Sequence, residues 1–114
     1  RKIIGPRMSK IVECNEVIYF SGIVPLDKSG DVKVQTREVL CIAQELFDEA
    51  GTNEENLLRA EIYVKDINRD FKAFNETWDN WVSKKNPPTR ACVEANMSTP
   101  QTLVEIISTA IKIT

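Results

Sequence analysis

Residues 103–113 read LVEIISTAIKI, and this stretch decides the fold. In an extended strand, successive side chains point to opposite faces of the sheet. One face would carry Leu103, Glu105, Ile107, Thr109, Ile111 and Ile113, and the other Val104, Ile106, Ser108, Ala110 and Lys112. Both faces are mainly apolar, so the pattern predicts a strand that is covered on both sides.

Two helical patterns precede this strand. Residues 32–50 place an apolar stripe along one face, and Gly51 follows as a left-handed cap. Residues 70–84 carry a second stripe, with Asp70 as the predicted N-cap and Pro87 beyond the end. The stripes consist of Val39, Ile42, Ala43, Leu46, Phe47 and Ala50, and of Phe71, Phe74, Trp78, Trp81 and Val82.

Short strand patterns occupy much of the remaining chain. Residues 11–13 and 16–24 are predicted to pair as a hairpin through a tight turn at 14–16. Residues 57–67 alternate, and 89–95 form a further short strand. The covered face of the 57–67 strand is predicted to hold Leu58, Ala60, Ile62 and Val64.

Together these patterns predict one α+β domain over residues 1–114, with the order ββαβαββ. A mixed sheet would be backed by two helices. Two helices can cover only one face of such a sheet, because packed helices lie about 10 Å apart. Another subunit is the simplest cover for the second face, so the chain is predicted to be oligomeric.

Composition excludes several classes of function. None of the 114 residues is His, which excludes Ser-His-Asp and Cys-His catalysis and zinc sites with histidine ligands. The net charge of −2 offers no field for holding a nucleic-acid backbone. Three scattered cysteines without a CxxC pair suit free thiols in a reducing compartment, and we expect a cytoplasmic protein.

Few residues suggest chemistry when they are taken one at a time. Arg90 follows Pro-Pro-Thr and is either a solvated edge arginine or a clamp for a carboxylate, whose geometry its planar donors match. Strand alternation places Arg90, Cys92 and Glu94 on one face. Cys92 alone also fits a small buried hydrophobe. Glu105 lies in an apolar strand and is either a structural ion-pair partner or a site carboxylate.

Taken in order, four stretches resemble a known family. They are residues 4–6 (IGP), residues 17–25 (VIYFSGIVP), residues 64–67 (VKDI) with Phe71, Phe74, Asn75 and Trp78, and residues 88–95 (PTRACVEA) followed by 104–106 (VEI). The chain is similar to the YjgF/RidA proteins over nearly its whole length, and the Pro-x-Arg-x-Cys-Val-Glu run is the most specific part. The resemblance implies a homotrimer whose sheets pack into a central barrel, with clefts between subunits.

The resemblance also implies an activity. Active members hydrolyse reactive enamines and imines, such as 2-iminobutanoate and 2-iminopropanoate, to 2-keto acids and ammonia. The family's clamp arginine falls on Arg90 and its site glutamate on Glu105. Substrate-binding positions fall on Cys92, Ser21 and Asn75. No metal or organic cofactor is implied, and the expected partners are small 2-imino and 2-keto acids.

One position departs from the family pattern. Many deaminases of the family have a tyrosine shortly after the Gly-Pro, whereas this chain continues with Arg7-Met8-Ser9. Arg7 is either a second positive group that contacts the substrate or a surface residue. An alternative function is therefore a regulatory trimer that binds small carboxylates without turnover. Ribonuclease activity, attributed to some relatives, is disfavoured by the net charge and the missing histidine.

Overall fold

The computed structural model describes residues 1–113, which form a six-stranded sheet and two long helices. The elements are β1 (Lys2–Ile4), β2 (Ser9–Cys14), β3 (Val17–Phe20), α1 (Val32–Ala50), a 3-10 turn (Glu54–Asn56), β4 (Leu57–Val64), α2 (Ile67–Trp81), β5 (Thr89–Glu94) and β6 (Val104–Ile111). The predicted α+β class is confirmed. Neither helix in this part of the chain is long and apolar enough to cross a membrane.

The sheet has the strand order β1-β2-β3-β6-β4-β5. Only β4 and β5 pair in parallel; the other neighbours are antiparallel. Strands β3 and β4 both run antiparallel to β6, so they share one direction and α1 is a crossover between them. Helix α2 crosses from β4 to β5 in the same way. Both helices pack on one face of the sheet, and β1 and β5 form its edges.

Both ends of α1 are capped. Asp31 accepts a hydrogen bond from the Val34 N–H at 3.0 Å, which satisfies a free donor of the first turn. Gly51 adopts φ 82°, and its N–H donates to Phe47 O and Asp48 O. The predicted left-handed cap at Gly51 is therefore confirmed.

The predicted turn at 14–16 is also present. Cys14 pairs with Val17, and the two residues between them, Asn15 and Glu16, have φ angles of 52° and 68°. Two positive φ values in a two-residue loop match the right-handed twist of the flanking strands. The hairpin register is thus fixed by local geometry as well as by the buried side chains of β2 and β3.

The boundaries of α2 correct the prediction of a helix over 70–84. Asp66, not Asp70, is the N-cap, because its side chain accepts from the Arg69 N–H at 3.1 Å. Asp70 lies in the first turn and pairs with Arg69 at 2.8 Å. The helix ends at Trp81, since Val82 is extended, so Pro87 lies well beyond the end.

Three strand predictions also need correction. Leu58 is exposed, because a register shift between Leu57 and Arg59 turns Leu57 into the core instead. The strand predicted at 16–24 stops at Phe20. Strand β1 was not predicted, since a three-residue edge strand carries too short a pattern.

The last strand is covered on one face within the chain. Val104, Ile106, Ser108 and Ala110 are buried beneath the helices. The opposite face, hereafter the open face, carries the half-buried Glu105, Ile107 and Thr109. Its apolar side chains include Tyr19, Val93 and Ile111, which are 50%, 46% and 39% exposed. Partly exposed apolar side chains on one face of a sheet are typical of an interaction surface.

Candidate functional site

A β-bulge brings Ser21 and Gly22 to the middle of the sheet. Tyr19 pairs with Thr109, while Ile23 forms an isolated bridge to Ile106. Between these two pairs, residues 20–22 oppose only residues 107 and 108 of β6. Three residues against two define a bulge with one additional residue. The Ser21 N–H still donates to Lys10 O at 3.0 Å, so β2 holds the bulged segment from its other side.

Glu105 lies beside this bulge. It precedes Ile106, whose N–H and C=O both bond to Ile23, at 3.1 and 2.9 Å. On the β4 side, Glu105 pairs with Tyr63. None of the ion pairs formed within residues 1–113 includes Glu105. The chain itself therefore does not supply the ion-pair partner that a purely structural role for this residue would require.

Tyr63 belongs to a polar row on the open face of β4. Its hydroxyl donates to Glu61 Oε2 at 3.2 Å, and Glu61 Oε1 accepts from Arg59 Nε at 3.0 Å. The hydrogen bond to Glu61 and the negative charges of Glu61 and Glu105 raise the pKa of Tyr63. The phenol is therefore a neutral neighbour of Glu105 at physiological pH.

Arg90 lies on the opposite face of the sheet. It pairs with Ala60, whose side chain is fully buried toward the helices. The Arg90 Cζ atom is 5.9 Å from the ring centroid of Phe74 and 5.8 Å from that of Trp78. Contact with two aromatic faces is favourable for a guanidinium and restricts its side chain. None of the ion pairs among the described residues uses it.

Cys92 shares the helix-side face with Arg90. It pairs with Ile62 and is half-buried, and burial raises the pKa of its thiol, with Arg90 opposing the rise. A protonated thiol is a poor nucleophile, because the thiolate is the reactive form. This residue is thus better suited to contribute shape and backbone groups than covalent chemistry.

The structure places Asn75 and Arg7 in different surroundings. Asn75 lies on α2 between Phe74 and Trp78, and its Oδ1 atom is buried without a hydrogen-bond partner. A buried carbonyl oxygen without a partner is uncommon, so this atom is a free acceptor on the helix that carries Phe74 and Trp78. Arg7 is exposed in the turn between β1 and β2, which Gly5 N–H closes by donating to Met8 O at 2.8 Å.

The predicted site residues thus fall into two half-sites. The first is the helix-side half-site, which contains Arg90, Cys92 and Asn75. The second is the open-face half-site, which contains Glu105 and Ser21. A single chain does not bring Arg90 and Glu105 together, because the sheet lies between them.

A separate groove lies between the two helices. It has a volume of about 920 Å³ and is lined by residues such as Arg37, Cys41 and Trp81. None of the predicted site residues lines it. In the part of the chain that the structure describes, no three His, Cys, Asp or Glu side chains are grouped to hold a metal ion.

Comparison with known proteins identifies the family. Residues 5–112 match the family described as Endoribonuclease L-PSP. The chain belongs to this family, which is the YjgF/RidA family. A RutC family protein from Haemophilus influenzae is 38% identical over 108 residues, which cover 94% of this chain and 92% of that protein.

Two further relatives are informative. A YjgF family protein from Neisseria meningitidis has a crystal structure that is 38% identical with a TM-score of 0.91, covering 97% of this chain and 92% of that one. The 3-aminoacrylate deaminase RutC from Acinetobacter baylyi is 30% identical over 104 residues, covering 86% of this chain and 81% of that protein. The chain therefore belongs to the YjgF/RidA family and has the fold of that family.

The sequence pattern does not predict one part of the helix-side half-site in this YjgF/RidA chain. It predicts only a core role, in the apolar stripe of α2, for Phe74 and Trp78. Both are buried, yet their rings also support Arg90. The available signal was the i, i+4 spacing of two aromatics on the crossover helix that precedes an arginine-bearing strand.

Proposed function

We propose that the protein hydrolyses 2-imino acids and their enamine tautomers to 2-keto acids and ammonia. The observation that supports this most is Arg90, a guanidinium without an ion-pair partner among residues 1–113, supported on two aromatic rings. Such a group suits the carboxylate of a small planar substrate. The relative from Acinetobacter baylyi is named as a 3-aminoacrylate deaminase. That compound is also an enamine that carries a carboxylate, although its nitrogen is on C3 and not on C2.

The proposed active unit is a homotrimer with one site in each cleft between subunits. Two properties of the chain support assembly through the open face. Its apolar side chains are partly exposed, and β5 is an edge strand with an unpaired side. If the β5 edge of one subunit approaches the open face of its neighbour, Arg90 of one chain and Glu105 of the next line the same cleft.

The mechanism assigns a separate task to each half-site. Arg90 binds the substrate carboxylate through two parallel N–H···O contacts, and charge-assisted bonds of this kind contribute about 1.5–3 kcal/mol each. Main-chain groups near Cys92 and the free Asn75 Oδ1 bond the remaining polar atoms of the substrate. The aromatic platform restricts the clamp, so less side-chain entropy is lost on binding.

Glu105 then acts on water. The carboxylate accepts a proton from the water as the water oxygen bonds to the carbon of the protonated imine, which gives a carbinolamine. Glu105 returns this proton to the amino group. The C–N bond then breaks and ammonia leaves, while the carbinol O–H gives its proton to Glu105 and its oxygen becomes the keto oxygen. Holding water beside the carbon contributes about 7 kcal/mol or more. Neither a metal nor an organic cofactor takes part in this sequence.

The proposed setting is the cytoplasm. All three cysteines are free thiols, and two of them, Cys14 and Cys41, are exposed. Exposed thiols persist in a reducing compartment. Imines released by other enzymes in the same compartment would then be the substrates.

A coupled assay tests the proposed function. A threonine dehydratase generates 2-iminobutanoate, and semicarbazide traps the free imine, so hydrolysis by the protein lowers semicarbazone formation. We expect Arg90→Ala to lose about a hundredfold or more in kcat/KM, because two charge-assisted contacts are removed. Arg37→Ala, which changes an exposed arginine of the interhelical groove, is the matched control and should retain full activity.

The second candidate function is binding of small carboxylates without turnover. It is favoured by Arg7, which stands where many deaminases of the family have a tyrosine and which is exposed beside the sheet edge. Calorimetry with a 2-keto acid separates the two functions. Binding that depends on Arg90 with no acceleration of any imine would support regulation. No binding of a 2-keto acid at millimolar concentration would contradict this second function.

A further inference from the structure

We infer that Gly22 is a positioning residue for Glu105: the missing side chain leaves the space in which the Glu105 carboxylate lies. This inference rests on the proposed function of Glu105 in activating water. A methyl group at position 22 would lie 3.0 Å from Glu105 Cδ and 3.4 Å from its Cγ, and would overlap Oε2. The carboxylate therefore rests directly against the Gly22 backbone.

The need for glycine here is spatial and not conformational. Among the described glycines, only Gly51 has a positive φ. Gly22 adopts a backbone that other residues tolerate, so the usual reason for glycine does not apply. A glycine within an apolar strand pattern, with an ordinary backbone, indicates that another group approaches closely.

The bulge prevents the backbone at Gly22 from retreating. Ile23 forms two hydrogen bonds with Ile106 on one side, and Ser21 N–H bonds to Lys10 O on the other. These bonds fix both flanks of Gly22 relative to β6 and β2. A side chain added at position 22 would therefore displace the carboxylate and leave the strand in place.

This geometry predicts a loss of activity without a loss of stability. The obstructed group is the end of a flexible side chain at a half-buried position, so Glu105 can rotate away at little cost to folding. Gly30 provides the contrast, because an added methyl group there would lie 2.5 Å from Val34 Cγ1 and 2.6 Å from its Cβ. Gly30→Ala should lower the urea midpoint, whereas Gly22→Ala should not.

The test is a mutant cycle in the assembled protein. Gly22→Ala should lower kcat about 10- to 100-fold with little change in KM, because a shift of about 1 Å in a reacting group has effects of this size. In a Glu105→Gln background the same change should cause no further loss, since the group that it displaces is already inactive. In a Glu105→Asp background the loss should shrink, because the shorter side chain withdraws the carboxylate from the added methyl group.

Three outcomes would overturn the inference. They are full activity of Gly22→Ala, an equal further loss in the Glu105→Gln background, and an undiminished loss in the Glu105→Asp background. If Gly22→Ala alone fails to fold, the double variant with Glu105→Asp must fold, or the inference is wrong. A crystal structure of Gly22→Ala gives a readout that does not depend on activity. If the wild type is inactive on imines and the Gly22→Ala crystal structure still shows a displaced Glu105 carboxylate, the proposed function is wrong but the inference about Gly22 holds.

Discussion

Replacing the buried Gln35 should destabilise the protein more than any surface change on α1. Its side chain is fully buried and its polar atoms contact four backbone groups. The two N–H groups of the amide are shared among the carbonyls of Lys28, Gly30 and Gln101, at N···O distances of 3.3, 3.2 and 2.9 Å, and Oε1 accepts from Leu103 N–H at 2.8 Å. One side chain thus joins the segment after the bulge to the segment before β6.

The expected effect follows from this count of bonds. Gln35→Leu keeps a similar volume and removes all four contacts. Two donated hydrogen bonds and one accepted bond at about 1 kcal/mol each, with the Leu103 N–H left without its acceptor, give an expected destabilisation of about 3–5 kcal/mol. Gln35→Glu keeps the acceptor and loses the donors, and it adds a buried charge, so it should be at least as harmful.

Urea denaturation at one fixed protein concentration measures the effect, since the stability of an oligomer depends on concentration. Gln44→Leu is the matched control on the same helix, because Gln44 makes one hydrogen bond, to Glu54 Oε2 at 2.8 Å, at a partly buried position. It should cost about 1 kcal/mol or less. If Gln35→Leu costs no more than this control, the role assigned to Gln35 is wrong.

Two further predictions follow from the shifted pKa values. Near pH 8, iodoacetamide should label the exposed Cys41 of α1 at least about tenfold faster than Cys92, because burial raises the Cys92 pKa and reduces its thiolate; peptide mass spectrometry measures this, and equal rates would refute it. The hydrogen bond and charge of Glu61 raise the folded-state pKa of Tyr63 above its ordinary value of 10.0. The unfolded chain therefore loses the phenolic proton first, and stability falls as the pH rises through about 10. Tyr63→Phe should show a smaller fall between about pH 9 and pH 11 in urea titrations, and an unchanged slope would contradict the assignment.

The sequence predicts the helices and most strands, because periodicity reports which face of an element is buried. It fails at boundaries where side chains compete for one role. Asp66 and Asp70 both suit an N-cap, and only the geometry of Arg69 N–H selects Asp66. Leu57 and Leu58 both suit the core, and the register shift beside them decides which is buried.

The two half-sites show a different limit. Alternation correctly groups Arg90 with Cys92, because it fixes which residues of one strand share a face. It cannot relate the faces of different strands, since that depends on the strand order and register of the folded sheet. Strand β5 offered no help, because as an edge strand it is exposed along much of both faces and lacks a clear apolar side.

The bulge was missed for a related reason. Residues 17–24 are apolar on both faces apart from Ser21, so alternation does not mark the change of face between Phe20 and Ile23, which are both buried. Gly22 was the available signal, since glycine within a strand often accompanies a bulge. Its close approach to Glu105 could not be inferred, because that contact joins segments more than 80 residues apart.

Mixing two inactive variants tests the central claim that Arg90 and Glu105 act across a subunit boundary. Arg90→Ala and Glu105→Gln chains, carrying different tags, are co-expressed and the mixed assemblies are purified. If each cleft takes its arginine from one subunit and its glutamate from the next, every trimer that contains both variants has one of its three clefts with both residues. We expect about a third of wild-type deaminase activity from the purified mixed assemblies, whereas each variant alone is nearly inactive. Folded mixed assemblies with no more activity than the single variants would contradict it.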